Sequence, residues 1–372
     1  MIKHAIASFD FNHLGIVGLL RKAAQLGYDG VEGNYPDLFT NDRGLEHRYV
    51  SEAQMRDDRI LEDIRKAMDE YGTTITGIHG PVVPLNAPNW RERFWMTREG
   101  FRRMSVLGIP NFTVHAGSGT VKDIKQELPV VERALHELAE VGAEYGVTVC
   151  IESSGNGVSE VHTIPQLAEV IGKNPKFAHT ADLSHNYKGR ESDEDPYCID
   201  KVIELLGDKV RLVHAVDHDP TLGFGHDLPA GMGRIDWKRF FKGILAKGFD
   251  GVVASECSPD KITAFMMKMH RLVQGHPYSV MPACTTEAYA DPNSRHLAEK
   301  DPNVVLGHHN WMRGIPFPGV VIHWEGREDA FDGTTLGDQL NSASLRYLKQ
   351  VIAEAEAELK REAADFSPGG SR

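Results

Sequence analysis

VTVCIES (147–153) is a run of β-branched and apolar residues that ends on a carboxylate, Glu152. Such a run reads as a buried strand. Three later segments repeat the pattern. KFAHTADLSH (176–185) carries Asp182 and His185, VRLVHAVD (210–217) carries His214, and GVVASEC (251–257) carries Glu256. Carboxylates are seldom buried unless paired or coordinating, because desolvating an unpaired one costs several kcal/mol even after relaxation. Four metal-binding side chains at the same end of four successive strands therefore read as an active site. Two Glu, one Asp and one His form an oxygen-rich set suited to a divalent cation such as Mn²⁺ or Mg²⁺.

Working outward, strand-like and helix-like patterns alternate along the chain. Strands are expected at Ile2–Phe9, Gly30–Glu32, Thr74–His79, Phe112–His115, Val147–Glu152, Phe177–Asp182, Val210–Val216 and Gly251–Glu256. Helical patterns separate them at Glu52–Tyr71, Trp90–Leu107, Pro129–Tyr145, Ile164–Ile171 and Trp237–Lys247. Gly27, Gly72, Gly108, Gly146 and Gly248 stand just before strands, where a left-handed residue ends a helix. Eight such units predict an α/β fold, a (β/α)8 TIM barrel. An open doubly wound sheet is the competitor, but no GxGxxG opens the first unit. In a barrel, active-site residues sit at the C-terminal ends of strands, and Glu32, His79, His115, Glu152, Asp182, His214 and Glu256 all fall there. The loops Gly33–Ser51, Asn186–Tyr197 and Asp217–Gly233 would share that face, and the last has the Gly and Pro content of a lid.

The barrel accounts for residues 1–275, with Asp260–Gly275 expected to supply a final helix. Residues 276–372 read as a loop-rich and helical C-terminal extension containing GHHNW and GIPFPG. Its last helix carries an apolar seam, Leu345, Leu348, Ile352, Ala355 and Leu359, that suits either the outer barrel or an interface between subunits of a homo-oligomer. Lys plus Arg number 41 and Asp plus Glu 53, a formal charge of −12, which argues against general nucleic-acid or anionic-membrane binding. No run approaches the ~18 apolar residues of a membrane span. No secretory signal is visible, and the four cysteines show no CxxC spacing, so a reduced, cytoplasmic protein is expected.

With strands and ligands in this order, the chain resembles the xylose-isomerase-like TIM-barrel superfamily, which joins sugar isomerases and epimerases to endonuclease IV-type nucleases. The resemblance is carried by IESSGNG (151–157), by the D-x-x-H of ADLSH, by VHAVD, by the following GMGRIDW (231–237) and by ASEC around Glu256. It implies that Glu152, Asp182, His214 and Glu256 bind one divalent metal, Mn²⁺, Mg²⁺ or Co²⁺ in the sugar-acting members, with Zn²⁺ as a further option. It also implies a keto-sugar or polyol as the small-molecule substrate. Proton abstraction beside the carbonyl, through a metal-stabilised enediolate, would give isomerisation or epimerisation. Glu152 and Glu256 would be the acid/base pair, and His185, His79, His115, His226 and Arg234 would contact substrate.

TGIHGPVVPLN and FTVHAGS also resemble the third and fourth strands of endonuclease IV, whose histidines bind metal. A multinuclear zinc phosphodiesterase acting on abasic DNA is therefore the alternative, alongside a lyase or dehydratase on keto-glycosides or keto-inositols. The D-tagatose 3-epimerase subgroup has a Glu six positions after the strand-five Glu and an Arg six after the strand-seven His. Val158 and Pro220 stand there instead, with Glu160 and Arg234 nearby. Trp90 and Trp95 suit helix packing or a sugar-stacking face.

Overall fold

A computed structural model describes residues 1–8, 11, 14–41, 50–81, 85–95, 97–116, 124–153, 163–187, 194–220, 225–256, 278–281, 304–306, 321–324 and 336–365. The apolar runs form strands β1 (Lys3–Ala7), β2 (Gly30–Asn34), β3 (Thr74–His79), β4 (Asn111–His115), β5 (Thr148–Glu152), β6 (Phe177–Asp182) and β7 (Val210–Asp219). β8 (Gly225–Pro229) and β9 (Val252–Ser255) follow. Strands β1 to β7 pair in sequence order and in parallel, β7 then pairs with β9, and β9 returns to β1. This ring of eight parallel strands, with helices between them, is a TIM barrel. Small and apolar side chains, among them Ala5, Cys150, Ala178, Leu212 and Ala254, fill its interior, and a second apolar layer packs under the helices.

The helices are α1 (Gly15–Leu26), α2 (Glu52–Met55), α3 (Arg59–Tyr71), α4 (Trp90–Arg93), α5 (Thr97–Leu107), α6 (Ile124–Glu144), α7 (Ile164–Gly172), α8 (Leu183–Asn186), α9 (Ile199–Leu206) and α10 (Trp237–Ala246). All five expected stop glycines have left-handed backbone, with φ between 65° and 91°. Two expected helices are broken. The first divides into α2 and α3 because the buried Arg103 guanidinium takes the carbonyls of Met55 (2.7 Å) and Asp57 (3.3 Å), together with Leu38 O (3.0 Å). The second divides into α4 and α5 at Trp95, which has φ 37° and stacks on Tyr35 at 5.5 Å. Trp90 is buried against Phe94, and Trp95 is partly buried against Tyr35 and Phe39, so both tryptophans pack on the protein's own aromatic side chains.

The Asp217–Gly233 segment, read from sequence as a loop, begins as a β-hairpin. β7 continues to Asp219 and β8 pairs with it antiparallel. Asp217 holds the base of the hairpin. It accepts from the backbone N–H groups of His218 (2.8 Å), Gly231 (2.9 Å) and Ile235 (3.1 Å) and from the Trp237 indole (3.1 Å). A side chain at Gly233 would lie 2.2 Å from the Asp217 carboxylate, so the chain can close around it only with glycine there.

A long helix, α11 (Leu336–Asp365), packs on α10 and touches α1, β8 and β9. Leu345, Leu348, Val351, Ile352 and Ala355 are buried on its inner side. Lys22 pairs with Asp338 (3.0 Å), and Lys238 and Lys242 pair with Glu358 and Glu362 (2.5 Å each). Ser255, the last residue of β9, donates to Asn341 Oδ1 (3.2 Å) on the same helix. β10 (Tyr278–Met281), β11 (Val304–Leu306) and β12 (Val321–Trp324) form a small antiparallel sheet in a stretch read as irregular from sequence. Asp260–Gly275, GHHNW and GIPFPG lie outside the described residues. Among the described residues no helix is long and apolar enough to cross a membrane.

Replacing Asp217 by Ala strands several buried N–H donors at once, and each costs about 1–3 kcal/mol. The expected loss is about 3 kcal/mol of unfolding free energy, read from urea denaturation. An unchanged midpoint would contradict the organising role of this carboxylate.

Candidate metal centre

Strand geometry places the polar residues. In a strand alternate side chains face the barrel interior, so Cys150 and Glu152 on β5, and Ala178, Thr180 and Asp182 on β6, point inward. Register aligns the strand ends: His115 lies beside Glu152, and Asp182 beside His214. Two irregularities assist. β2 and β3 shift register between Val31 and Glu32, and β6 and β7 shift between His179 and Thr180. Bulges beside active sites commonly re-aim side chains in this way.

One ligand atom each from Glu152, Asp182, His214 and Glu256 lie within 4.8 Å of one another. His214 Nδ1 stands 3.2 Å from Glu152 Oε1 and 2.7 Å from Glu256 Oε2. Glu152, Asp182 and His214 are buried and Glu256 is partly exposed. Among the described residues Glu256 Oε2 is buried without a hydrogen bond, although it lies within ion-pair distance of His214. Three carboxylates and one imidazole converging on a point form a donor set that could hold a divalent cation.

Further histidines ring Glu152. His79 Nε2 is 3.1 Å and His115 Nε2 3.3 Å from its Oε2, and His185 Nδ1 is 3.5 Å from its Oε1. His79 donates from Nδ1 to Gly80 O (2.7 Å), which leaves Nε2 toward the carboxylate. His79, His115 and Glu152 form a second group of atoms within 4.8 Å. Arg234 sits apart, more than half exposed and paired with Asp219 on the hairpin at 3.2 Å. The His226 side chain, Val158 and Glu160 lie outside the described residues.

The electrostatics follow from burial against crowding. Burial raises the Glu152 carboxyl, but His115, His214 and His185 outweigh it and hold it well below the usual carboxylate range. Burial lowers His214, yet Glu256, Glu32 and Glu152 push it well above an ordinary imidazole. Asp182 is pushed up to about 6 by burial, with Glu152 and Glu256 adding to the effect against His185. His115 is driven down to about 4 by burial, so its charge acts on Glu152 only in the acid range.

Glu32 was recognised from sequence as a strand-end residue without a role. It is 1 % exposed, and its Oε2 stands 2.9 Å from His214 Nε2. The signal for it was a carboxylate ending GVE (30–32), a strand whose every residue is buried.

Residues 20–272 match the family model described as xylose isomerase-like TIM barrel. The chain belongs to this family. A search of curated proteins finds no match by sequence. Among solved structures, D-psicose 3-epimerase from Clostridium cellulolyticum H10, with D-tagatose, superposes with a TM-score of 0.60 at 13% identity, covering 94% of this chain and 99% of that one. The 3-keto-D-glucoside 4-epimerase of E. coli gives 0.52 at 17% identity, covering 73% and 100%. An IOLI protein with a bound zinc atom gives 0.55 at 18%, covering 73% and 98%. At these identities the likeness is one of fold, and this xylose isomerase-like barrel carries its donor cluster at the strand ends where the fold places active sites.

A cation taking His214 Nδ1 must displace its proton, and in part that of Asp182. Because His214 holds its proton to higher pH than free imidazole, affinity should weaken as pH falls, by about tenfold per pH unit for each proton displaced. Calorimetric Mn²⁺ titrations between about pH 6 and about pH 8, in buffers of different ionisation enthalpy, should show proton release. Binding that is independent of pH and releases no protons would contradict this electrostatic picture.

Proposed function

We propose that this protein is a divalent-metal-dependent isomerase or epimerase of a keto-sugar or polyol, acting by proton transfer beside a carbonyl. The observation that carries the reading is the convergence of Glu152, Asp182, His214 and Glu256 within 4.8 Å at the C-terminal mouth of the barrel. These four would hold the cation, Mn²⁺, Mg²⁺ or Co²⁺ by the oxygen-rich donor set. When bound, it supplies a Lewis acid for the substrate carbonyl oxygen. Two sugar epimerases of the same fold, one for D-psicose and one for a 3-keto-D-glucoside, support the substrate class.

The chain's own residues then have distinct tasks. Glu152 and Glu256 reach the site from β5 and from the end of β9, with β6 and β7 between them around the ring. One carboxylate takes the proton from the carbon beside the carbonyl, and the electron pair moves toward the carbonyl oxygen. The other returns a proton, to the opposite face for epimerisation or to the neighbouring carbon for isomerisation. His79, His115 and His185 hold substrate hydroxyls. The near-complete burial of Glu152 excludes water, which strengthens each of these contacts. An elimination beginning with the same proton abstraction would use the same pair.

Substrate C–H exchange with deuterium, tested over keto-sugars, aldoses and keto-inositols with Mn²⁺-loaded protein, should occur with one class. It should fall by about 10²–10⁴-fold in Glu152→Gln and Glu256→Gln. Exchange undiminished in both variants would sink the acid/base assignment.

One observation favours a second reading: the His79, His115 and Glu152 group offers a further cation position beside the first. Two or more zinc ions there would suit phosphodiester hydrolysis. Cleavage of an abasic-site duplex by zinc-loaded protein, lost in His115→Ala, would establish it. The net charge of −12 disfavours it.

A further inference from the structure

The residue nearest His214 on the side away from the carboxylate cluster is Glu32, on a strand that contributes none of the four proposed ligands. Its Oε2 lies 2.9 Å from His214 Nε2, and neither atom has another polar partner among the described residues. The contact has the distance of an ion pair and not the alignment of a hydrogen bond, so charge and packing hold the ring there. His79 stacks on that ring with centroids 5.7 Å apart and planes 23° from parallel.

Glu32 is itself fixed. Its Oε1 accepts from the Thr113 hydroxyl at 3.0 Å, and Thr113 Oγ1 lies 3.1 Å from Thr180 Oγ1. A hydroxyl has one proton to donate. Thr113 gives its proton to Glu32, so Thr180 must donate to Thr113. The result is a directed chain across the barrel interior from β6 through β4 to β2, ending against an imidazole on β7. All four side chains are buried, and a carboxylate there without such partners would cost several kcal/mol.

From this we infer that Glu32 is a positioning residue that fixes the His214 ring through Nε2, so that Nδ1, which donates to Glu152 Oε1 at 3.2 Å, is the nitrogen that exchanges its proton for a cation. The inference rests on the proposed metal site. A metal-ligating histidine is commonly set by a carboxylate at its other nitrogen, and removing that partner costs roughly 10–100-fold in metal affinity. Here the partner comes from a strand that supplies no ligand, which ties the geometry of the site to closure of the whole barrel.

The test uses the full chain and Mn²⁺ alone, by equilibrium dialysis, with the melting temperature of each variant followed alongside. Glu32→Leu, similar in size but without charge or acceptor, should weaken Mn²⁺ binding by roughly 10–100-fold. Glu32→Gln keeps an acceptor oxygen and should recover part of that loss, which a merely space-filling residue would not require. If Glu32→Leu does not fold, Thr113→Val decides the matter: it removes the hydroxyl that fixes Oε1 and should weaken Mn²⁺ binding several-fold. Wild-type binding with unchanged affinity in the folded variants would overturn this inference alone. A wild type that binds no divalent cation would overturn the reading of the site and this inference with it.

Discussion

The Glu152 carboxylate is the constraint around which the rest of the structure is arranged. It is 1 % exposed, and four imidazoles stand within 3.1 to 3.5 Å of it. A buried anion is tolerated only where charge and hydrogen bonds replace lost hydration. Its partners come from β3, β4, α8 and β7, so the carboxylate can be accommodated only when the barrel has closed. The same requirement makes it an apt place for a cation, which would offset the burial and the crowding by Glu152 and Glu256 that raise Asp182.

Support for this centre extends beyond the strands that carry it. Asp217 closes the base of the hairpin three residues after His214, and Ser255 ties the strand before Glu256 to Asn341 on α11. The C-terminal helix therefore bears on the site through β9 as well as on the outer surface through its ion pairs. Arg103 holds the segment after β2 in a comparable way, by collecting three carbonyls that have left helical pairing.

Much of this was legible from residue order. The eight barrel strands lie where alternating apolar runs and stop glycines place them, because period and capping are local properties. Glu152, Asp182, His214 and Glu256 were visible as polar residues ending apolar runs. The hairpin after β7 was not, since HDPTLGFGHDLPAG has the composition of a loop and its pairing depends on a distant indole and on glycines that close around one carboxylate. The helix breaks between Met55 and Arg59 and at Trp95 come from tertiary contacts that no periodicity records. Glu32 was seen as a strand end, but its meeting with His214 is a contact between β2 and β7, which neither strand reveals alone.

The most direct test of the central claim is the metal content of gently purified protein by plasma mass spectrometry. The account predicts one divalent cation per chain, manganese, magnesium or cobalt, lost on replacing His214 or Asp182. Protein that carries no divalent cation, and takes up none when Mn²⁺ is supplied, would contradict it.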